Sequence, residues 1–270
     1  MRTRALILAT LLTLAAPLWG QAFLPVSASS DVPDVEFSRA SAGLGLDMAS
    51  QAPRMSPELA LETYQQRAAR QSETLGEYTA STTIDAELPD SSQRGELVVK
   101  RHYVAPKTLS FQAVSFQGDK FVKSNVIARM LQSEVEHVER QETAQTAITP
   151  ANYKFSYAGT ENIAGRAVYV YDVKPRQKRP GLFRGKIFVD AASGSLRRAG
   201  GSLVKSGSFF VKKVDFVQDY ADFSDFTLPV HMHSEAKARI IGRAVVDIVN
   251  QDYAPSVQTA MITLPPQGSH

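Results

Sequence analysis

Residues 166–175 read RAVYVYDVKP and residues 185–191 read GKIFVDA. Valine, isoleucine, tyrosine and phenylalanine dominate both segments, and glycine, proline or aspartate stands near their ends, which is typical of β-strands joined by short turns. The rest of the chain after residue 150 has the same character. Further strands are predicted at residues 152–160, 195–205, 209–220, 228–240 and 244–253.

A helix and three strands are predicted upstream of this region. Ser56 is a suitable N-cap, Pro57 suits the first helical position, and Glu58 complements the positive end of a helix that should end near Gly76. The spacing of apolar residues then changes to a period of two. Strands in an antiparallel meander are predicted at residues 77–88, 94–104 and 108–117.

A second helix interrupts the strands. Ser124 or Asn125 is its predicted N-cap, and apolar residues at helical spacing give it one hydrophobic face before it fades within residues 141–149. Strands and helices do not alternate, which argues against a doubly wound parallel sheet. The prediction is a mainly β (α+β) protein with one large antiparallel sheet of about ten strands, whose apolar face the two helices cover.

The N-terminal segment predicts export. Arg2 and Arg4 precede an apolar run, and Ala22 ends a small-residue site of the kind that signal peptidases cleave. An uncleaved membrane anchor is the alternative, although the run of about 15 residues is shorter than the ~20 that a spanning helix needs. The predicted organisation is a signal peptide at residues 1–22, a flexible linker at 23–55, a folded domain at 56–255 and a loose tail at 256–270.

The composition excludes several classes of protein. The chain has 270 residues, a formal net charge of +3 and a hydrophobic content of 43%, so wholesale disorder is excluded. Charge this balanced argues against a dedicated nucleic-acid binder. The absence of cysteine excludes a disulfide scaffold, a zinc–thiolate site, a thiol nucleophile and a lipid-anchored N-terminus. Removal of residues 1–22 lowers the net charge to +1, and a cysteine-free exported chain indicates a bacterial periplasm.

Two histidines are the candidates for metal or catalytic chemistry. His231 and His233 share one face of a predicted strand, with Glu235 on the same face and His102 as a further candidate ligand. A solvated polar strand face is the alternative, and the absence of an H-E-x-x-H motif favours it. The prediction is therefore a protein without catalytic residues, bound metal or cofactor, and a hydrolase that uses the two histidines is kept as a competing hypothesis.

A basic loop lies between two predicted strands. Residues 174–186 contain six lysines and arginines and are interrupted by proline and glycine. In a mature chain of net charge +1 this loop is a local positive patch, suited to an anionic lipid headgroup or an acidic partner surface. Ordinary solvation of an exposed loop is the alternative. The candidate partner or headgroup residues are Arg176, Lys178, Arg179 and Arg184.

This order of elements and motifs resembles a known family. The succession of residues 165–175, 185–191 and 194–198 is similar to the pattern G-x-x-V/Y-x-V-x-x-x-P … W/F-V-D-x-x-x-G-x-L of the LolA/LolB lipoprotein-carrier superfamily, and residues 226–229 (FTLP) also resemble it. The same fold occurs in the first domain of the RseB/MucB sensors. The resemblance covers residues 56–253 and implies an unclosed half-barrel whose hydrophobic concave face holds acyl chains without catalysis.

The resemblance leaves two functions open. The first is a soluble, monomeric periplasmic carrier of lipoprotein or lipid acyl chains, with an inner- or outer-membrane protein as its partner. The second is an envelope-stress sensor that binds a protein partner through the same fold. Strand alternation alone supplies the candidate lining residues, which are Leu97, Val99, Tyr103, Leu109, Phe111, Phe155, Tyr169, Tyr171, Ile187 and Val189, with Met130 and Leu131 on the covering helix.

Overall fold

A computed structural model describes residues 53–206, 211–239 and 242–257 of the chain. Its first element is helix α1, Pro57–Thr74, which ends close to the predicted position. The predicted N-cap is confirmed, because the Ser56 hydroxyl accepts a hydrogen bond from the backbone N–H of Leu59 at 3.2 Å. Leu75 then adopts an extended backbone and begins the first strand.

Ten strands pair in one antiparallel sheet, close to the predicted boundaries. They are β1 (Leu75–Leu88), β2 (Gln93–Val104), β3 (Thr108–Gly118), β4 (Tyr153–Ile163), β5 (Arg166–Pro175), β6 (Phe183–Asp190), β7 (Leu196–Leu203), β8 (Val211–Phe223), β9 (Phe226–Ala238) and β10 (Gly242–Val257).

The first and last strands are neighbours inside the sheet. The strand order is β3-β2-β1-β10-β9-β8-β7-β6-β5-β4, so two strands lie on one side of the β1–β10 pair and six on the other. Thr82 lies opposite Asn250, and the Thr82 hydroxyl donates to the Asn250 side chain at 2.7 Å. Strands β3 and β4 are the two edges and do not pair within the described residues. The predicted fold class, an unclosed antiparallel half-barrel with helical cover, is confirmed.

The second helical region starts earlier than predicted. Neither Ser124 nor Asn125 is its N-cap, because helical backbone already begins after Asp119. The Asp119 carboxylate accepts a hydrogen bond from the backbone N–H of Arg94 at 3.1 Å, which ties the start of the helix to β2. The segments are α2 (Lys120–Val122), a π-helical turn (Lys123–Ile127), α3 (Ala128–Glu139) and α4 (Thr143–Thr146).

Some predictions lie outside the described residues. The predicted signal peptide at residues 1–22, residues 23–52 of the predicted linker and residues 258–270 of the predicted tail belong to this group. Of the linker, Met55 is described, and its backbone N–H donates to the carbonyl of Ala191 at the end of β6 at 2.8 Å. Within the described ranges, every helix falls short of the length and apolarity that crossing a membrane requires.

The pairing of β6 with β7 depends on a glycine, which gives a test of the fold. A Cβ on Gly185 would lie 1.9 Å from the carbonyl oxygen of Gly200 on β7, closer than any real contact. We expect Gly185→Ala to lower the free energy of unfolding by about 2–3 kcal/mol, because the two strands must separate. Urea unfolding of purified protein measures this change.

The matched control is Gly165→Ala in the β4–β5 turn. A Cβ there meets no atom within 4 Å, and only the positive φ of +79° opposes it, so the expected loss is about 1 kcal/mol. Equal losses for the two variants would contradict the assigned β6–β7 register.

Candidate functional site

One row of directly opposed residues crosses all ten strands on the inner face of the sheet, the face that the helices cover. Every member is apolar or aromatic except Gln218 on β8, which is buried. From one edge to the other the row reads Phe116, Leu97, Ile84, Ile248, Met232, Gln218, Ala199, Ile187, Tyr171 and Tyr157. The inner face is therefore a continuous, largely apolar surface from β3 to β4.

The predicted lining residues all belong to this covered side, and most are buried. Tyr103, Phe111 and Phe155 are half-buried. The remaining nine are at most 9% exposed, because they pack against the helices or against one another; they are Leu97, Val99, Leu109, Met130, Leu131, Tyr169, Tyr171, Ile187 and Val189. In this structure the face is closed, and a role for these residues in ligand contact stays a prediction.

The α2–α3 segment, residues 120–139, covers one half of the inner face. Its buried apolar residues pack against β1, β2, β8, β9 and β10, and Phe111 of β3 packs at the margin of this cluster. We name this the first cluster. On the helical side it contains Val122, Val126, Ile127, Met130 and Leu131, and on the sheet side it includes Leu97, Val99, Ile84, Met232 and Val246.

Helix α1 covers the other half. Ala60 and Tyr64 of α1 are buried against β4 to β8, and Phe155 packs at the margin of this second cluster. Sheet residues of the second cluster include Tyr169, Tyr171, Ile187, Val189, Phe216 and Tyr220. The structure therefore divides the predicted lining residues between two covers. Tyr103 packs in a small third cluster around Tyr78, Phe226 and Leu228.

A buried ion pair fastens the α2–α3 segment to the sheet. Arg101 of β2, only 6% exposed, donates two hydrogen bonds to Glu134 of α3, at 2.6 and 2.8 Å. The Arg101 guanidinium also lies over the Phe111 ring, 4.9 Å from its centre. Burial alone would lower the pKa of Arg101, but the Glu134 carboxylate more than offsets burial and raises it. The two parallel hydrogen bonds of this bidentate pair fix the position of α3 relative to β2, in addition to pairing the two charges.

Sequence reasoning missed this pair, although one signal was present. Arg101 stands in phase with Leu97, Val99 and Tyr103, so the alternation of β2 places a charge among apolar residues. A charge at such a position needs a buried partner. No local feature points to Glu134, which lies 33 residues away.

Polar contacts also fasten α1. Gln71 exchanges two hydrogen bonds with the backbone of Thr227 in β9, with its amide donating at 3.1 Å and its carbonyl accepting at 2.8 Å. Arg67 pairs with Asp222 at 3.3 Å, and Arg197 pairs with the same carboxylate at 2.7 Å. These contacts lie at the end of the sheet where β8 turns into β9.

The two predicted histidines lie on the opposite, outer face of the sheet. His233 Nδ1 is 2.8 Å from Asp247 Oδ1, and His231 lies 3.7 Å from Asp219 and 3.6 Å from Asp247. The Asp219 carboxylate, with a smaller contribution from Asp247, raises the pKa of His231. Among the described residues, no group of three or more His, Asp or Glu side chains is arranged to hold a metal ion. His102 binds Glu77 instead, at 2.7 Å.

The basic loop joins β5 to β6 at one end of the sheet. Arg176, Lys178 and Arg184 are exposed, and Arg179 is half-buried. Arg176 Nε donates to the carbonyl of Pro150 at 2.7 Å. None of the six cations of residues 174–186 forms an ion pair with a described carboxylate, whereas several arginines of the sheet do. These paired arginines are Arg94, Arg101, Arg166, Arg197, Arg198 and Arg243.

The buried ion pair predicts a specific pattern of stability. Glu134→Leu leaves the Arg101 charge buried without its partner, so we expect the free energy of unfolding to fall by about 3 kcal/mol. The double variant Arg101→Met with Glu134→Leu removes both charges and should recover most of that loss. Thermal and urea unfolding measure both.

A neighbouring residue provides the matched control for this prediction. Glu136 is on the same helix and pairs with the exposed Arg140 at 2.9 Å, so Glu136→Leu should change stability by less than about 0.5 kcal/mol. A double variant as unstable as Glu134→Leu would contradict the role assigned to the pair.

Comparison with solved structures finds proteins of similar fold. An outer membrane lipoprotein-sorting protein domain from Vibrio parahaemolyticus is 14% identical, with 76% of this chain and 95% of that chain covered and a TM-score of 0.38. A LolA superfamily protein from Nitrosomonas europaea is 10% identical over 76% and 94% of the chains, with a TM-score of 0.37. A chain in the structure of the Pseudomonas aeruginosa MucA/MucB complex is 12% identical, with 73% of this chain and 99% of that chain covered and a TM-score of 0.25. No family model and no curated protein matches the chain. The similarity is to the LolA and MucB structures that the strand motifs resemble, and it is one of fold.

Proposed function

We propose that this chain is an exported, non-catalytic carrier that binds acyl chains of lipids or lipoproteins on the inner face of its half-barrel. The observation that carries the proposal is the apolar row that crosses all ten strands and that, among the described residues, is covered mainly by helical segments and not by a second sheet. A second sheet or a closed barrel would seal this surface permanently. Helical covers that rest on it through side chains can move away from it.

The energetics permit exchange of a cover for a ligand. Each methylene that leaves water for an apolar surface contributes about 0.8 kcal/mol. Side chains of the α2–α3 segment such as Ile127 and Met130 now occupy the inner face, and an acyl chain offers the sheet the same kind of contact. Displacement of the α2–α3 segment needs a point about which it can bend. The π-helical turn Lys123–Ile127, between α2 and α3, is a candidate for this hinge, and π-helical turns often occur at functional sites.

The predicted periplasmic location belongs to the same proposal. The signal-like residues 1–22 would deliver the chain to the periplasm, where an acyl chain in transit between membranes needs shielding from water. The proposed binding of acyl chains requires neither a cofactor nor a catalytic residue.

The basic loop is proposed as the surface that meets an anionic membrane. Its six cations, none of them paired with a described carboxylate, are concentrated in thirteen residues, whereas the rest of the chain carries a formal net charge of −3. Carboxylates neutralise cations elsewhere on the sheet, so the loop remains a source of positive potential. Anionic headgroups at a bilayer surface provide the complementary charge.

A tryptophan reporter tests whether acyl chains reach the inner face. Trp19 is the chain's one tryptophan and lies in the predicted signal peptide, so a chain beginning at residue 23 has none. Phe111→Trp places a single indole beside the first cluster. We expect a palmitate brominated along its chain to quench this indole strongly, because the bromine atoms contact it beneath the cover.

A reporter on the outer face is the control. Val217 lies on β8 opposite His233 and is 40% exposed, so Val217→Trp should keep its fluorescence at the same ligand concentration. Equal quenching of the two indoles, or quenching of neither, would contradict acyl binding beneath the α2–α3 segment.

Vesicle binding tests the basic loop. We expect Arg176→Gln, Lys178→Gln and Arg184→Gln together to weaken binding to vesicles of phosphatidylglycerol by about 3 kcal/mol, or roughly 100-fold, at low salt. A control variant removes three exposed cations elsewhere, with Arg70→Gln, Lys100→Gln and Lys107→Gln. Cosedimentation at two salt concentrations gives the measurement. An equal effect of the two triple variants would contradict a specific role for the loop.

A further inference from the structure

A small cavity lies between α1 and the sheet, at the end where β8 turns into β9. Its volume is about 20 Å³, which is room for one water-sized group. Helix α1 forms one wall, and β8 with the β6–β7 turn forms the other. The lining residues are Tyr64, Arg67, Ala68, Gln71, Gly194, Ser195, Leu196, Tyr220 and Thr227.

Two polar atoms in this lining are buried and have no partner in the described part of the chain. They are the Tyr220 hydroxyl oxygen and Arg67 Nε. Tyr220 is only 5% exposed, so water at the surface does not reach its hydroxyl. Buried polar groups are almost always hydrogen-bonded, and an exception calls for an explanation at that site.

The neighbouring polar groups are satisfied, which makes these two atoms distinct. The Tyr64 hydroxyl donates to the carbonyl of Ile148 at 2.8 Å. Gln71 uses both ends of its amide on the backbone of Thr227. The fold therefore pairs these polar side chains and leaves two hydrogen-bond donors beside one small space.

The chemistry of the two atoms defines what they can bind. Arg67 Nε carries a proton and is only a donor. Burial raises the pKa of Tyr220 well above its usual value, so its hydroxyl keeps its proton and can donate. A group that fits must therefore be a compact acceptor. The Arg67 charge is already balanced by Asp222, which favours a neutral acceptor over an additional anion.

The surroundings indicate what this acceptor is attached to. Tyr64, Leu196 and Tyr220 line the cavity and also belong to the second cluster, which continues to Ile187 and Val189 beneath α1. An acceptor bound in the cavity thus stands at the end of an apolar path along the inner face. A carbonyl oxygen at the end of a hydrocarbon chain has this combination of shape and polarity.

We propose that the Tyr220 hydroxyl and Arg67 Nε bind the carbonyl oxygen of an acyl group whose hydrocarbon chain lies on the second cluster. This rests on the proposed carrier function and adds a fixed position for the polar end of the ligand. The carbonyl belongs either to an acyl ester or to a free fatty acid bound in its protonated form, and the shared chemistry is the neutral oxygen acceptor at the end of the chain.

The test compares ligands of equal chain length in wild-type protein and Tyr220→Phe. Methyl palmitate, palmitate and hexadecane are delivered from cyclodextrin, and their dissociation constants are measured. We expect wild type to prefer the carbonyl ligands. The substitution removes one hydrogen bond, so their affinity should fall about 3- to 10-fold, while that of hexadecane stays unchanged. A larger loss for methyl palmitate than for palmitate identifies the ester as the source, and the reverse identifies the acid.

A second tyrosine separates this role from a structural one. The Tyr253 hydroxyl is already engaged, because it donates a hydrogen bond to the carbonyl of Pro229 at 2.7 Å, and Tyr253 packs at the third cluster, away from the proposed ligand. Tyr253→Phe should lower the Tm and keep the preference for carbonyl ligands. Tyr220→Phe should leave the Tm of the ligand-free protein unchanged or raise it, because its hydroxyl has no partner among the described residues.

The possible failures are distinguishable. If hexadecane binds and Tyr220→Phe lowers the affinity of all three ligands equally, or of none, the carbonyl site is overturned and the carrier function stands. The second of these results is also expected if the cavity holds only a water molecule. If none of the three ligands binds wild type, the carrier function itself is overturned.

Discussion

The architecture depends on one constraint, which is that an open antiparallel sheet with an apolar face must have that face covered. The row that runs from Phe116 on β3 to Tyr157 on β4 would otherwise expose hydrophobic surface across ten strands. A barrel would bury the row by joining its edges. Here β3 and β4 stay apart, and two helical segments from different parts of the chain complete the core. The covers are therefore structurally necessary, and neither belongs to the sheet.

Apolar packing alone does not fix a cover in one place, because it has no direction. The polar contacts supply that direction. Arg101 and Glu134 set the α2–α3 segment against β2, and Gln71 sets α1 against β9. A bidentate ion pair in the core adds little net stability compared with an apolar pair of similar volume, but loss of one partner is strongly unfavourable. Such contacts suit a cover that has one defined closed position and is not held by a large excess of free energy.

The sequence predicts the sheet well because strand alternation and turn residues are local signals. The limits of β5 follow directly from the valines and tyrosines of residues 166–175. The predicted start of the second helix was wrong, because the Asp119 side chain accepts a hydrogen bond from Arg94 on the neighbouring strand β2 and the helix begins beside that contact. Two features could not be predicted, namely the partner of Arg101 and the absence of a described hydrogen-bond partner for the Tyr220 hydroxyl. Each depends on which distant segment of the chain packs against the residue. In the sequence, Tyr220 has the pattern of an ordinary core tyrosine.

The two polar features of the molecule lie at opposite ends of β6. The basic loop, residues 174–186, includes the first residues of β6, and the cavity with Gly194 and Ser195 lies beyond the last residue of that strand, Asp190. Residues 187–190 of the strand separate the two features, which is about 13 Å at the usual rise per residue. A ligand whose carbonyl is held in the cavity cannot place the same polar group at the loop. Under the proposed function the loop cations are therefore available to a surface outside the protein, and the proposed cargo site and the proposed membrane contact occupy different places on one sheet.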